Sequence, residues 1–184
     1  RTALQNASLL DHSLSVLVLS LLIGRGLGFE SEENTLRLGL AAAFHDIGLL
    51  GLEFAVPGEE SLAALSLPAQ RQRFADHPAL AAEWIRDHMN GESIVAQAVA
   101  LHHWRRDDSG FYQKGAQPVL EAPRMAEILG IAESASFELL KFPVSGGRSR
   151  SWSERLASRV TDQYSAAVVE GFSSAFGSST APNA

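Results

Sequence analysis

The adjacent pair His45-Asp46, together with His12, His77 and the doublet His102-His103, is the part of this chain best suited to chemistry. Five of the six histidines belong to this set, and only His88, beside Asp87 on a polar stretch, stands outside it. Imidazole and carboxylate bind first-row divalent metals, and without cysteine no thiolate shares that role. Two ions about 3.5–4 Å apart can share a bridging hydroxide and grip a phosphodiester for in-line attack. Such a pair needs a carboxylate that reaches both ions, and Asp46 lies in sequence between the two histidine groups. The pattern points to a dinuclear metal site.

Each residue also has an ordinary reading. A lone His12 on an apolar helix would usually be a hydrogen-bonded core residue. His77 before Pro78 could serve as a helix cap. His102-His103 could end a helix, where imidazolium suits the terminal carbonyls. Their co-occurrence in one small chain favours the metal reading.

The elements that must position them are helical. Leu10, Leu14, Leu17 and Leu21 follow helical spacing, and Gly24-Arg25-Gly26 ends that segment. Ser31 can cap a helix with Glu32 and Glu33 in its first turn, Leu36, Leu40 and Ala43 on its inner face, and Gly48 and Gly51 at its end. Phe54 to Asp76 reads as loop and short helices, and Pro78 as the first residue of a helix running to Met89. Further helices are expected over Glu92–His103, burying Val95, Ala98 and Val99, and over Pro123–Leu140, with Met125, Ile128, Ala132, Ala135 and Leu139 in register. Between them, Trp104 to Pro118 is a polar loop. After a linker at 141–150, the capping box Ser151-Trp152-Ser153-Glu154 opens a last helix through Leu156, Val160, Tyr164 and Ala167. A Ser/Gly/Pro/Ala tail over 173–184 is expected to be disordered. No strand-period alternation or internal repeat is present. The fold class is all-α, a single helical bundle over 1–172.

Composition narrows the function. A chain of 184 residues, 46% hydrophobic, is long enough to bury one core. A net charge of −6 without a basic stripe argues against a nucleic-acid polymer or an anionic membrane as partner. The most apolar run, Leu14 to Ile23, is too short to span a bilayer, so no membrane insertion is expected. Absence of cysteine suits a reducing, cytoplasmic setting. The first residue is Arg1 rather than Met, so the chain is expected to be cut from a longer protein, fused to or regulated by further domains.

Order, spacing and context over about Leu10 to Leu140 resemble the HD superfamily of metal-dependent phosphohydrolases, in its HD-GYP branch. His12-Ser13 through Phe44-His45-Asp46-Ile47-Gly48 is similar to the family's first two helices. Asp76-His77-Pro78 resembles its His-Pro motif. The loop from His102 to Tyr112 resembles the pattern His-His-Glu-Arg-x-Asp-Gly-x-Gly-Tyr-Pro, matching at His102, His103, Arg105, Asp107 and Gly110. Trp104, Asp108, Phe111 and Tyr112 depart from it. Glu133 falls where the family has its last metal-binding aspartate. Leu49 takes the place of a lysine near substrate phosphate, and Ser8 that of a glutamate which adds a third metal in some members.

The resemblance implies an HD-domain bundle and two divalent transition-metal ions, iron or manganese. Asp46 would bridge them as the central catalytic group. His12, His45 and Glu133 would complete one side, with His77, His102 and His103 on the other. Glu133 could instead pair with an arginine. Arg105 could bind phosphate or close a salt bridge with Asp107, and Trp104 reads as a packing residue. Phe111 and Tyr112 could stack on a guanine or anchor their loop. Two functions follow: a phosphodiesterase acting on cyclic di-GMP or a related nucleotide, or a catalytically degenerate signalling module that binds a ligand or partner protein.

Overall fold

The computed structural model describes residues 2–50, 67–90, 92–112, 123–141 and 152–176. Among them are seven α-helices and no strand. They are α1 (Thr2–Gly26), α2 (Glu32–Phe44), α3 (Pro68–His88), α4 (Ser93–Ala100), α5 (Arg124–Lys141), α6 (Trp152–Val160) and α7 (Ala166–Phe176). A 3-10 turn, Ile47–Leu49, directly follows the His45-Asp46 pair. α1 packs on α2, α5 and α7, α3 on α4 and the 3-10 turn, and α6 on α5 and α7. One core results, drawing on Val16, Leu38, Ile85, Val99, Ile128, Leu156 and Phe172 among others.

Local chemistry accounts for several boundaries. Ser31 caps α2, its Oγ accepting the Asn34 N–H at 3.2 Å. α4 buries Val95, Ala98 and Val99, and α5 buries Met125, Ile128, Ala132 and Ala135, as their spacing predicts. Gly48 lets the 3-10 turn press on α3, since a Cβ there would collide with the His77 carbonyl oxygen.

Elsewhere the structure departs from the sequence pattern. α1 continues through Gly24 and Gly26, and its inner face is Leu9, His12, Ser13, Val16, Leu19, Ser20 and Ile23, leaving Leu10 and Leu14 exposed. On a helix this rich in leucine the apolar pattern does not select a face, and the buried site turns polar residues inward. α2 is rotated likewise, burying Leu38, Ala41 and Ala42 in line with His45 and exposing Leu36. α3 begins at Pro68, a full ten residues before Pro78, which therefore lies inside it. Leu139 is exposed near the end of α5.

The C-terminal segment is two helices rather than one, broken at 161–165, with Tyr164 buried in the break and α7 carrying the helix on to Phe176. Gly51, Ser151 and the tail beyond Phe176 lie outside the described residues. The stretch Leu9–Gly26, with mean hydropathy 1.4, is long and apolar enough to cross a membrane by length and composition, contrary to the shorter run read from the sequence. Within the fold 44% of it is buried, and it delivers His12 to the interior.

Candidate metal centre

His12, His45, Asp46, His77, His102, His103 and Glu133 are all buried, and they converge. They come from α1, the end of α2, the middle of α3, the end of α4 and the middle of α5. Two groups form, His12 with His45 and Asp46, and His77 with His102 and His103, each with ligand atoms within 4.8 Å of one another. Asp46 joins them. Its Oδ1 lies 3.2 Å from His77 Nε2 and 3.8 Å from His102 Nε2, while Oδ2 lies 3.4 Å from His45 Nε2 and 3.7 Å from His12 Nε2. Glu133 Oε2 lies 3.4 Å from His103 Nδ1, a contact with the second group.

Three of the histidines are oriented by one device. His45 Nδ1 donates to the Ala42 carbonyl at 2.8 Å, His77 Nδ1 to Phe74 at 2.5 Å, and His102 Nδ1 to Val99 at 2.6 Å. A carbonyl can only accept, so Nδ1 carries the proton and Nε2 keeps a lone pair facing inward. These carbonyls are available for definite reasons. Ala42 and Val99 lie in the last turns of α2 and α4, where helix carbonyls lack the regular i+4 N–H and are open to a side-chain donor. Phe74 is the carbonyl that residue 78 would normally bond, and Pro78 has no N–H.

We therefore expect Pro78→Ala, which restores that N–H, to compete for Phe74 and let the His77 ring turn. Metal affinity should fall by about 10–100-fold, the usual cost of losing an outer-shell partner. The melting temperature should stay level or rise, because proline inside a helix costs about 3 kcal/mol. Metal titration beside thermal melting checks this, and unchanged affinity would refute the role.

The donor set fits divalent metal. His77 Nε2 and His102 Nε2 face each other at 3.3 Å. With both protons on Nδ1, neither can donate, so two lone pairs meet across a gap that a cation would resolve. His12 Nε2 and His45 Nε2 are buried without a hydrogen bond. Burial, helped by His45 and opposed by Asp46, lowers His12 to about 4. Burial is also the main cause that holds His102 and His103 well below the usual imidazole value, with His103 and His77 respectively the next contributors. Burial opposes ionisation of Asp46, but the electrostatic influence of His45, then of His77 and His102, outweighs it and holds the carboxyl well below its ordinary range. Neutral imidazole and ionised carboxylate are the forms that ligate metal.

Aromatic rings wall the site. Phe137 stacks on His12 at 4.8 Å, and Phe111 on His103 at 4.1 Å, with Phe74 beside His77, His103 and Phe111. Phe74, Phe137 and Ser136, whose Oγ is 3.4 Å from His12 Nδ1, escape sequence reasoning because nothing in their spacing separates them from core residues. Phe111 thus has one face committed to His103, and its N–H bonds the His103 carbonyl at 3.0 Å. Tyr112 packs half-buried against the core. Asp108 sits at φ 59, a left-handed conformation that explains why glycine is usual at that place in the family pattern.

Arg105 is turned inward. Its Nη1 donates to the carbonyls of His102 at 2.8 Å and Trp104 at 2.9 Å, and the guanidinium lies 4.9 Å from the centre of the Tyr164 ring. Asp107 accepts from the backbone N–H and hydroxyl of Ser109, closing its own turn. Arg105 therefore braces the doublet His102-His103. Arg105→Met should cost about 3 kcal/mol, the loss of charge-assisted bonds to buried carbonyls, and should weaken metal binding as well. A melting temperature within error of the parent would contradict this. Trp104 is buried, and His88 ends α3, stacked on Trp84 and bonded to its carbonyl.

The fold is an all-helical bundle that gathers buried histidines around one aspartate. The family model of the HD domain matches residues 9–133, and the chain belongs to that family. Among solved structures it is similar to Bd1817, an HDG"Y"P protein from Bdellovibrio bacteriovorus, with a TM-score of 0.63 and 17% identity. That match covers 89% of this chain and 50% of the other, so the chain spans half the length of that structure. No curated protein matches the chain.

Proposed function

We propose that this domain is a dinuclear-metal phosphodiesterase acting on cyclic di-GMP or a related nucleotide phosphodiester, with iron or manganese as its metals. The observation that carries the reading is the division of Asp46, whose two oxygens face different histidine groups. His12, His45 and Asp46 would hold one ion, and His77, His102, His103 and Asp46 the other, with Glu133 beside His103. When bound, the pair would supply an activated water and neutralise charge on the phosphate. Asp46 would keep the two groups in fixed separation. The Nδ1 bonds of His45, His77 and His102 hold their rings in place, so little reorganisation remains when substrate arrives. The aromatic wall and the buried ligands exclude bulk water, which strengthens every charge interaction inside.

A binding-module reading is favoured by one observation. Leu49, at the position of the family's phosphate-facing lysine, is buried in the 3-10 turn next to Asp46. It offers phosphate neither charge nor a hydrogen bond, which corresponds to a loss of about one to two powers of ten in affinity or rate. Weak turnover is therefore expected. The test is hydrolysis of cyclic di-GMP by manganese- or iron-loaded protein, read beside direct binding of the same nucleotide. Metal-dependent linear product supports the enzyme. Binding without product supports the module, and neither binding nor product rejects cyclic di-GMP as ligand.

A further inference from the structure

Helix α1 has two apolar faces. One enters the core and carries His12, and the other lies outside. Leu10, Leu14, Val18 and Leu22 are 59, 50, 56 and 44% exposed. Single exposed leucines are ordinary. Four in one line at a spacing of four form a continuous ridge, about 18 Å long at the helical rise of about 1.5 Å per residue. The ridge is bounded by charges of opposite sign. Asp11 lies beside Leu10, and Arg25 lies one turn beyond Leu22; both are exposed and neither has an ion-pair partner among the described residues.

We propose that this ridge is the contact between two copies of the chain, α1 packing antiparallel against α1 of the second copy. A two-fold axis at Val18 sets Val18 against its equivalent and Leu14 against Leu22, twice. The same axis sets Asp11 against Arg25, again twice. Parallel packing would instead place Asp11 on Asp11 and Arg25 on Arg25. One helix thus supplies both halves of its own complement, as a closed two-fold interface requires. The helices would cross at a shallow angle, as ridge-into-groove packing allows. His12, on the inner face, stays with its own site. The ridge is small beside a standard interface, so the dimer is weak, with a dissociation constant on the order of micromolar.

Sedimentation velocity on this chain, over roughly 1–100 µM, tests the proposal. The parent should move from monomer to dimer across the series. Val18→Glu, which sets two carboxylates on the axis, should weaken dimerisation by at least about 100-fold. Asp11→Arg and Arg25→Asp should each weaken it about tenfold, and the double variant should recover to within about threefold of the parent. Circular dichroism verifies the helical fold of each variant. If Val18→Glu fails to fold, the charge exchange, confined to exposed positions, decides alone. A monomer at every concentration, whether or not it binds lipid vesicles, overturns the proposal. So does a dimer that all the variants leave unchanged, or a double variant no better than the singles.

Discussion

Replacing Asp46 with alanine is expected to remove metal from both halves of the site at once. Each Asp46 oxygen stands against a different histidine group, so a single side chain serves two sets of ligands. Loss of an outer-shell partner costs about 10–100-fold in metal affinity. Loss of a shared ligand should exceed about 100-fold at each position. Elemental analysis after equilibration with manganese reads the result directly, and any phosphodiesterase activity should vanish with the metal. Asp46→Asn, which keeps the shape but loses the charge, should behave in the same way with a melting temperature nearer the parent's. A full metal complement in either variant would rule out a bridging carboxylate.

The second large effect concerns acid and the metal-stripped protein. Burial lowers His12 from 6.5 to about 4. Between those values the unfolded chain binds a proton that the folded chain refuses, so stability falls as pH falls through that window. For His12 alone the full cost is about 3 kcal/mol, of which about 2 kcal/mol is reached by about pH 5. His102 and His103 act in the same direction. Asp46 adds to it further down, because stability that its ionised form contributes above 3.8 is lost as pH falls below that value. Chelator-treated protein should therefore melt at least about 5 °C lower at pH 5 than at pH 7. Saturating metal should raise the melting temperature at neutral pH by about 8–16 °C, the equivalent of about 4 kcal/mol at a thousandfold excess over Kd. A melting temperature indifferent to both pH and metal would mean that the histidines are not buried neutral ligands.

How much of this was legible in the sequence depended on the kind of signal. His45-Asp46, His77-Pro78 and His102-His103 announce themselves because adjacent residues of those types are uncommon, and the structure gathers them. The helical class was equally plain from spacing and caps. The rotation of α1 and α2 was not. Hydrophobic periodicity assumes that polar residues face water, whereas here His12, Ser13 and Ser20 face inward. The predicted stripe of Leu10 and Leu14 is for that reason the exposed one. Pro78 misled in a related way, since proline is usual at a helix start, yet here its missing N–H inside α3 frees the carbonyl that orients His77. Arg105 could be read as a phosphate ligand or as a partner for Asp107. Its turn back onto the carbonyls of His102 and Trp104 depends on the path of the loop, which no local pattern encodes.

Electron paramagnetic resonance of the protein titrated with manganese reads the bridge at Asp46 itself. If Asp46 holds two ions a few ångströms apart, the second equivalent should convert the signal of isolated Mn(II) into that of a spin-coupled pair, and Asp46→Ala should abolish the coupling. Saturation at one equivalent, or two equivalents whose signals stay uncoupled, would contradict a dinuclear centre bridged by Asp46.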